Sequence, residues 1–409
     1  MATLNDAFTL PGGSTLINRI AKSAMSEALG TMDNRATDKL VQLYRTWGEG
    51  GTALLFTGNI MVDRRALGEP GNVVIEDDRD MDTLKAWAAA GKENGAEIWV
   101  QLNHPGRQCP KGLNKESVGP SAVEFNKSMQ AFFETPRELT AEEIEDIIAR
   151  FAKAAGICRE AGFGGVQIHG AHGYLVSQFL SPHTNQRTDQ WGGSTENRRR
   201  FVLEILKAMR AATAPDFPIG IKLNSADFQR GGFTEEESLE VMSALTDAGI
   251  NLIEISGGTY EAPAMTGVRE STRKREAYFL DFADKVRKRI PETPLMVTGG
   301  FRSAAGMNEA LASGSLDICG IARILAIEPD VSRRLLAGDN PRQTVKPIKT
   351  GIPLVDKMAI MEVTWYTRQL HRIGSGKAPR PNEAALKVFL ISVWETFTGM
   401  RKTRRLRAS

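Results

Sequence analysis

Residues 140–170 read TAEEIEDIIARFAKAAGICREAGFGGVQIHG. The first part repeats apolar residues at spacings of three and four, through Ile144, Ile147, Ile148 and Phe151, which is the period of a helix with one buried face. Thr140 followed by Glu143 has the pattern of a capping box, so the helix is expected to begin there. Beyond Gly162 the period changes, and the short run Gly165–His169, centred on Val166 and Ile168, has the length of a buried strand. A helix that feeds a strand across so short a turn is one half of a βα unit.

The same alternation recurs outward in both directions. Strand-like runs are expected at Arg19–Ser26, Ala53–Ile60, Glu97–Leu102, Gly165–His169, Ile219–Asn224, Leu252–Ser256, Leu295–Thr298 and Asp317–Ile321, with helical periods between them. Eight such units imply an α/β fold, a closed parallel (β/α)8 TIM barrel, although an open doubly wound sheet has the same local pattern. Ahead of the first strand, AFTLPGGSTLIN turns at Gly12–Gly13 and reads as an N-terminal hairpin that caps the barrel bottom. The insert His104–Arg137 is long and irregular, the usual form of a lid or binding loop. Residues 1–338 are therefore read as the barrel and 339–409 as a C-terminal helical extension, with helix-like stretches at Val355–Arg372 and Glu383–Met400. The final stretch, ALKVFLISVWETFTGMRKTRRLRAS, joins an apolar run to a basic cluster and suits packing on the barrel, a homo-oligomer contact or a membrane surface.

Composition narrows the classes. Of 409 residues, 41% are hydrophobic and 25% charged, an ordinary balance with enough apolar material for a large core. The N-terminus has no basic segment followed by an apolar stretch, so a cytoplasmic protein is expected. Three cysteines (Cys109, Cys158, Cys319) are odd in number and widely spaced, which argues against disulfides, an iron–sulfur cluster or any intrinsic metal. A formal charge of +3 is too weak to imply nucleic acid and compatible with phosphate-bearing ligands.

In a barrel, chemistry sits at the C-terminal ends of the strands. After the fourth strand, GVQIHGAHGYLVSQFLSPHTNQRTDQWGGSTENRRRF crowds His169, His172 and Tyr174 together. They could be structural histidines, a metal pair lacking carboxylate or thiolate company, or an oxygen site in which two imidazoles hold a developing negative charge and a phenol supplies a proton. This segment closely resembles the Old Yellow Enzyme family of NADH:flavin oxidoreductases, and the resemblance runs from Leu16 to Asp330. It implies that His169 and His172 hydrogen-bond a substrate carbonyl or nitro oxygen and that Tyr174 protonates Cα. His at the second position, in place of Asn, is similar to the bacterial branch.

The resemblance also implies FMN as cofactor, NAD(P)H as electron donor and a small electron-poor alkene as acceptor, in a ping-pong cycle. NRIAKSAMSE places Ala24, Met25 and Ser26 along the flavin, with Ser26 where the family has Thr or Cys and Ala28 where its bacterial branch often has Tyr. LLFTGNIMVD puts Gly58 where the ring would approach the backbone closely, with Asn59 beside it; otherwise the glycine is a simple turn. WVQLNHPGRQ offers Gln101 to the pyrimidine edge, while His104 and Arg107 are expected to organise the following loop. Lys222, where the family has Arg, keeps a cation beside N1 and O2 but loses the bidentate fork. MVTGGFRS and CGIARILA supply Gly299, Gly300, Ala322 and Arg323 to the phosphate, Ala322 replacing the family's usual Gly. The basic run Arg269–Arg275 could meet the 2′-phosphate of NADPH or simply be solvated. A dienoyl-CoA-type reductase and a phosphate-binding barrel with a membrane or assembly tail are the rival readings.

Overall fold

The computed structural model describes residues 1–262, 279–356 and 360–394; Arg269–Arg275 lie outside them. In chain order the strands are β1 (Phe8–Thr9), β2 (Thr15–Leu16), β3 (Ile20–Lys22), β4 (Leu54–Met61), β5 (Glu97–Asn103), β6 (Val118–Gly119), β7 (Arg137–Glu138), β8 (Gly165–Gly170), β9 (Ile219–Asn224), β10 (Leu252–Ser256), β11 (Leu295–Thr298) and β12 (Ile318–Ile321). The helices are α1 (Asp38–Glu49), α2 (Met81–Gly91), α3 (Ala141–Glu160), α4 (Leu175–Leu180), α5 (Thr195–Ala212), α6 (Glu235–Asp247), α7 (Leu280–Arg289), α8 (Ala304–Ala312), α9 (Val331–Leu336), α10 (Pro353–Asp356) and α11 (Ile360–Gly374). Strands β3, β4, β5, β8, β9, β10, β11 and β12 pair in parallel and close on themselves, so the eight expected runs are the eight staves of a TIM barrel.

The local reasons match the sequence pattern. α3 starts at Thr140, whose hydroxyl accepts from Glu143 N at 3.2 Å while the Glu143 carboxylate accepts from Thr140 N at 2.8 Å. Its Ile144, Ile147, Phe151 and Cys158 are buried, each large side chain contributing about 2 kcal/mol against exposure. Inside the barrel, Trp99 is fully buried, and it fits because two neighbouring staves carry glycine: a Cβ at Gly165 would lie 2.6 Å from its ring, and one at Gly220 3.0 Å. The hairpin β1–β2 closes the bottom by setting Leu10 and Leu16 against Leu54, Phe56, Leu252 and Met296.

One expectation is corrected. The first barrel strand ends at Lys22, not Ser26: Ser23 still bonds Ile321 O, but the chain then leaves the sheet and reaches Ala28 at φ +46°, a turn no strand allows. Within the stretch Val355–Arg372 the described residues are helical, in α10 and α11, and residues 357–359 lie outside the described part. α11 buries Trp365, Tyr366, Leu370 and Ile373, and Gly374 lies so close to α1 that a Cβ there would meet Lys39 O at 2.7 Å. Residues 385–394 are helical, with Val388 buried and Leu386, Leu390, Val393 and Trp394 exposed; residues 395–409 lie outside the described part. Among the described residues no helix is long and apolar enough to cross a membrane.

Candidate active site

At the end of β8 the chain makes a tight left-handed turn, with His172 at φ +61° and Gly173 at +78°. Such a turn is unfavourable for His, and the surroundings compensate: His172 N donates to Asn224 Oδ1 (3.2 Å), its carbonyl accepts from Gln108 Nε2 (3.1 Å), and its Nε2 lies 2.7 Å from Ser256 Oγ. The His169 and His172 rings stand nearly perpendicular with centroids 5.2 Å apart, and Tyr174 lies 4.7 Å from His169. His169 Nδ1 accepts from Ala171 N at 3.4 Å, which leaves Nε2 to carry the proton and donate. Burial, followed by His172 and then Lys222 for His169 and by Lys222 for His172, holds both imidazoles well below their ordinary pKa, so each ring is neutral and carries one N–H. Burial pushes the Tyr174 phenol well up, and its oxygen lies 2.8 Å from that of Tyr260. Neutral donors beside a protonated phenol can hold an oxygen and release a proton to its neighbour.

Below this cluster a polar layer crosses the barrel. Gln101 Nε2 donates to Gln167 Oε1 (2.8 Å), and Gln167 Nε2 donates to Glu254 Oε2 (2.8 Å). Lys222 Nζ lies 2.9 Å from Glu254 Oε1 and 2.9 Å from Ser23 Oγ, and Thr298 Oγ1 donates to the same carboxylate at 2.7 Å. Burial works against the Glu254 charge, but Lys222 and the Ser23 and Thr298 hydroxyls outweigh it and hold the carboxyl below its usual range. Glu254 was not anticipated from the sequence, although a carboxylate inside the apolar strand LIEIS is itself a signal of a buried partner.

The loop after β3 carries Ala24, Met25 and Ser26, all part-exposed at the barrel mouth. Packing alone requires Gly58 there: β4 bulges between Phe56 and Asn59, and a Cβ at Gly58 would lie 2.7 Å from Met25 O and 2.9 Å from the Glu27 carboxylate. Under this loop, buried Glu27 accepts the Tyr44 hydroxyl and lies 3.7 Å from buried Lys22. Ser26 donates its hydroxyl to Glu69, and the Ser26 and Glu27 carbonyls are held by Thr367 Oγ1 (3.0 Å) and His371 Nε2 (2.8 Å) of α11. Across the mouth, Gly299 and Gly300 both have positive φ (+114° and +95°), and Ala322–Arg323 opens a short 3-10 turn. Arg323 pairs with Glu362 of α11 at 2.6 Å.

The expected loop-organising roles of His104 and Arg107 match their contacts. His104 Nδ1 accepts from Gly106 N at 3.1 Å, and Arg107 makes a buried ion pair with Glu261 while lying 4.1 Å over the Phe125 ring. Tyr260, next to Glu261, and Glu69 are site residues that the sequence reading missed. Both lie on loops whose course depends on tertiary contacts.

The donor set fits FMN. A cation and an amide, Lys222 and Gln101, sit at one side of the mouth for a ring edge rich in acceptors. Two left-handed glycines and an arginine sit at the other, where backbone N–H groups and a positive charge suit a phosphate.

Comparisons agree with this geometry. A profile of the NADH:flavin oxidoreductase / NADH oxidase family matches residues 9–341. The NADH-dependent flavin oxidoreductase iliE of Neonectria sp. is 36% identical over 390 residues, a match covering 88% of this chain and 50% of that protein. The NADH-dependent flavin oxidoreductase iccE of Talaromyces variabilis is 37% identical over 404 residues, covering 90% of this chain and 98% of its own. The chain thus spans half of the first relative and nearly all of the second. A solved 2-naphthoyl-CoA reductase in complex with 2-naphthoyl-CoA superposes with a TM-score of 0.78 at 26% identity, over 90% of this chain and 58% of that one. The chain belongs to the NADH:flavin oxidoreductase / NADH oxidase family, the Old Yellow Enzyme type of barrel oxidoreductase that uses FMN and a reduced nicotinamide.

Proposed function

We propose that the enzyme reduces electron-poor alkenes: α,β-unsaturated carbonyl compounds, maleimides or nitroalkenes. The observation that carries the reading is the cluster of two neutral imidazoles and one protonated phenol at the exit of β8. FMN, when bound across the mouth, supplies the hydride that the nicotinamide gives it. His169 and His172 hold the acceptor oxygen and stabilise the negative charge that develops there, an interaction stronger in the transition state than in the ground state. His172 Nε2 is taken up by Ser256, so Nδ1 is the ring nitrogen left for that oxygen, and it donates when the Ser256 hydroxyl gives its proton to Nε2. Tyr174 gives its proton to Cα, and Lys222 and Gln101 hold the pyrimidine edge of the cofactor.

The test is anaerobic: protein reduced by NADH is mixed with 2-cyclohexenone, N-methylmaleimide, a nitroalkene and, because a structural neighbour is an acyl-CoA reductase, a 2-enoyl-CoA thioester. Reoxidation of the flavin by at least one of the first three is expected. Tyr174→Phe should slow that step about 100-fold or more while leaving reduction by NADH within a factor of two or so. If none of the four reoxidises the flavin faster than buffer alone, the alkene reading is wrong; if only the thioester does, the substrate class is wrong.

A further inference from the structure

Beyond Glu383 the C-terminal extension is mounted on α11. Trp365 Nε1 donates to Glu383 O (2.9 Å), the Glu383 carboxylate accepts from Arg368 Nε (3.0 Å) and Gln369 Nε2 (3.4 Å), and Arg380 N donates to Gln369 Oε1 (2.7 Å). Residues 385–394 are helical, and one face of that helix is covered: Val388 is buried and Ala385 packs against the same core. The other face is apolar as well. Leu386, Leu390, Val393 and Trp394 stand at i, i+4, i+7 and i+8, which sets them on one stripe, and they are between 44% and 69% exposed. Among the described residues twelve large apolar side chains are exposed, and four of them form this stripe. Isolated exposed apolar residues are ordinary on any protein, whereas a contiguous row marks a contact surface.

The sequence shows what that surface suits. From Lys377 to Ser409 the chain has eight basic residues and two acidic ones, and five of the eight fall within residues 401–407: Arg401, Lys402, Arg404, Arg405 and Arg407. A second copy of the chain is a poor occupant of the stripe. In sequence order, a parallel pairing sets the basic cluster beside its own counterpart, and an antiparallel pairing sets it toward Lys377, Arg380 and Lys387; both repel. An anionic lipid surface suits the two features together, because the headgroup boundary takes the apolar stripe and the lipid charges attract the basic cluster. Lys387, with its side chain 60% exposed, can lay its stem along that boundary and keep its ammonium among the headgroups.

We propose that the extension docks the enzyme on an anionic phospholipid surface, with Leu386, Leu390 and Val393 entering the headgroup boundary and residues 401–407 supplying the electrostatic attraction. The contact is peripheral: the helix lies along the surface, and no helix among the described residues is long and apolar enough to cross it. Docking is independent of the acceptor that the enzyme reduces.

The experiment is co-sedimentation of the full, flavin-loaded chain with vesicles of phosphatidylcholine containing about 30% phosphatidylserine, and with vesicles of phosphatidylcholine alone. Wild type should bind the anionic vesicles about 10-fold or more tighter than the neutral ones, a preference that shrinks in about 0.5 M salt. Leu386→Gln with Leu390→Gln and Val393→Gln should weaken anionic-vesicle binding about 10-fold or more, with flavin content and NADH oxidation unchanged because the three side chains face solvent. Arg404→Gln with Arg405→Gln should weaken it by a similar factor and leave neutral vesicles unaffected. No binding by wild type, or equal binding by wild type and the triple variant, overturns the proposal. Sedimentation velocity without lipid addresses the second copy: a wild-type dimer that the triple variant dissociates would assign the stripe to self-association and overturn it as well.

Discussion

Lys222 and Glu254 show how much one residue depends on another that is remote in sequence. They are direct partners across the parallel β9–β10 register, with charged atoms 2.9 Å apart and side chains nearly without solvent contact. A cation alone in such a place would be costly, so the carboxylate is what permits Lys222 to be there. It also reduces the positive field that Lys222 sends to the pyrimidine edge, where reduced flavin carries its charge. Glu254→Gln should leave Lys222 less balanced and raise the midpoint potential at pH 7 by roughly 30 mV or more, a tenfold shift for a two-electron couple. Spectroelectrochemistry measures it directly, and a potential that stays put or falls would mean that Glu254 does not set the balance. Lys222 was legible because a lysine on a barrel strand is unusual by itself. Its partner was hidden because one sequence does not state strand register.

At the scale of elements, the C-terminal extension acts through α11. This helix touches the site at two corners, through the Ser26 and Glu27 carbonyls and through Arg323. The sequence reads as a helix-like stretch there, but it does not state the surface that the helix covers. Hydrogen bonds to main-chain carbonyls leave no trace in composition, since every residue has a carbonyl. The element matters for cofactor retention if the loop after β3 is shaped by those bonds. Each is worth about 1 kcal/mol net, so Thr367→Val with His371→Phe should raise the FMN dissociation constant about 10-fold to 30-fold. Fluorescence of flavin released on dilution reads this out, and unchanged retention would show that the loop keeps its shape without α11.

For the whole molecule, the barrel was legible because its signal is repeated eight times, and an error at one strand end, as at Ser26, leaves the closed sheet intact. The site was legible where the fold itself dictates position, at strand ends such as His169, Gln101 and Lys222, and illegible where loops deliver the group, as for Glu69 and Tyr260. His104 joins these scales, because a buried base couples the loop it anchors to the stability of the entire fold. Burial lowers its pKa to about 4, with Asp63 opposing that shift and Arg65 and Arg150 adding to it. In the unfolded chain it returns to about 6.5. The folded value is therefore the depressed one, and between about pH 6.5 and 4 the unfolded state binds more protons. His104 accordingly adds nothing adverse above about pH 6.5 and destabilises progressively as pH falls toward 4, by up to about 3 kcal/mol. His104→Asn can still accept from Gly106 N and cannot titrate. Wild type should lose about 2–3 kcal/mol more than this variant between pH 7 and 4.5 in urea unfolding, the other acids and histidines cancelling in the difference. Parallel losses for the two proteins would show that His104 meets solvent, and takes its proton, without the barrel opening.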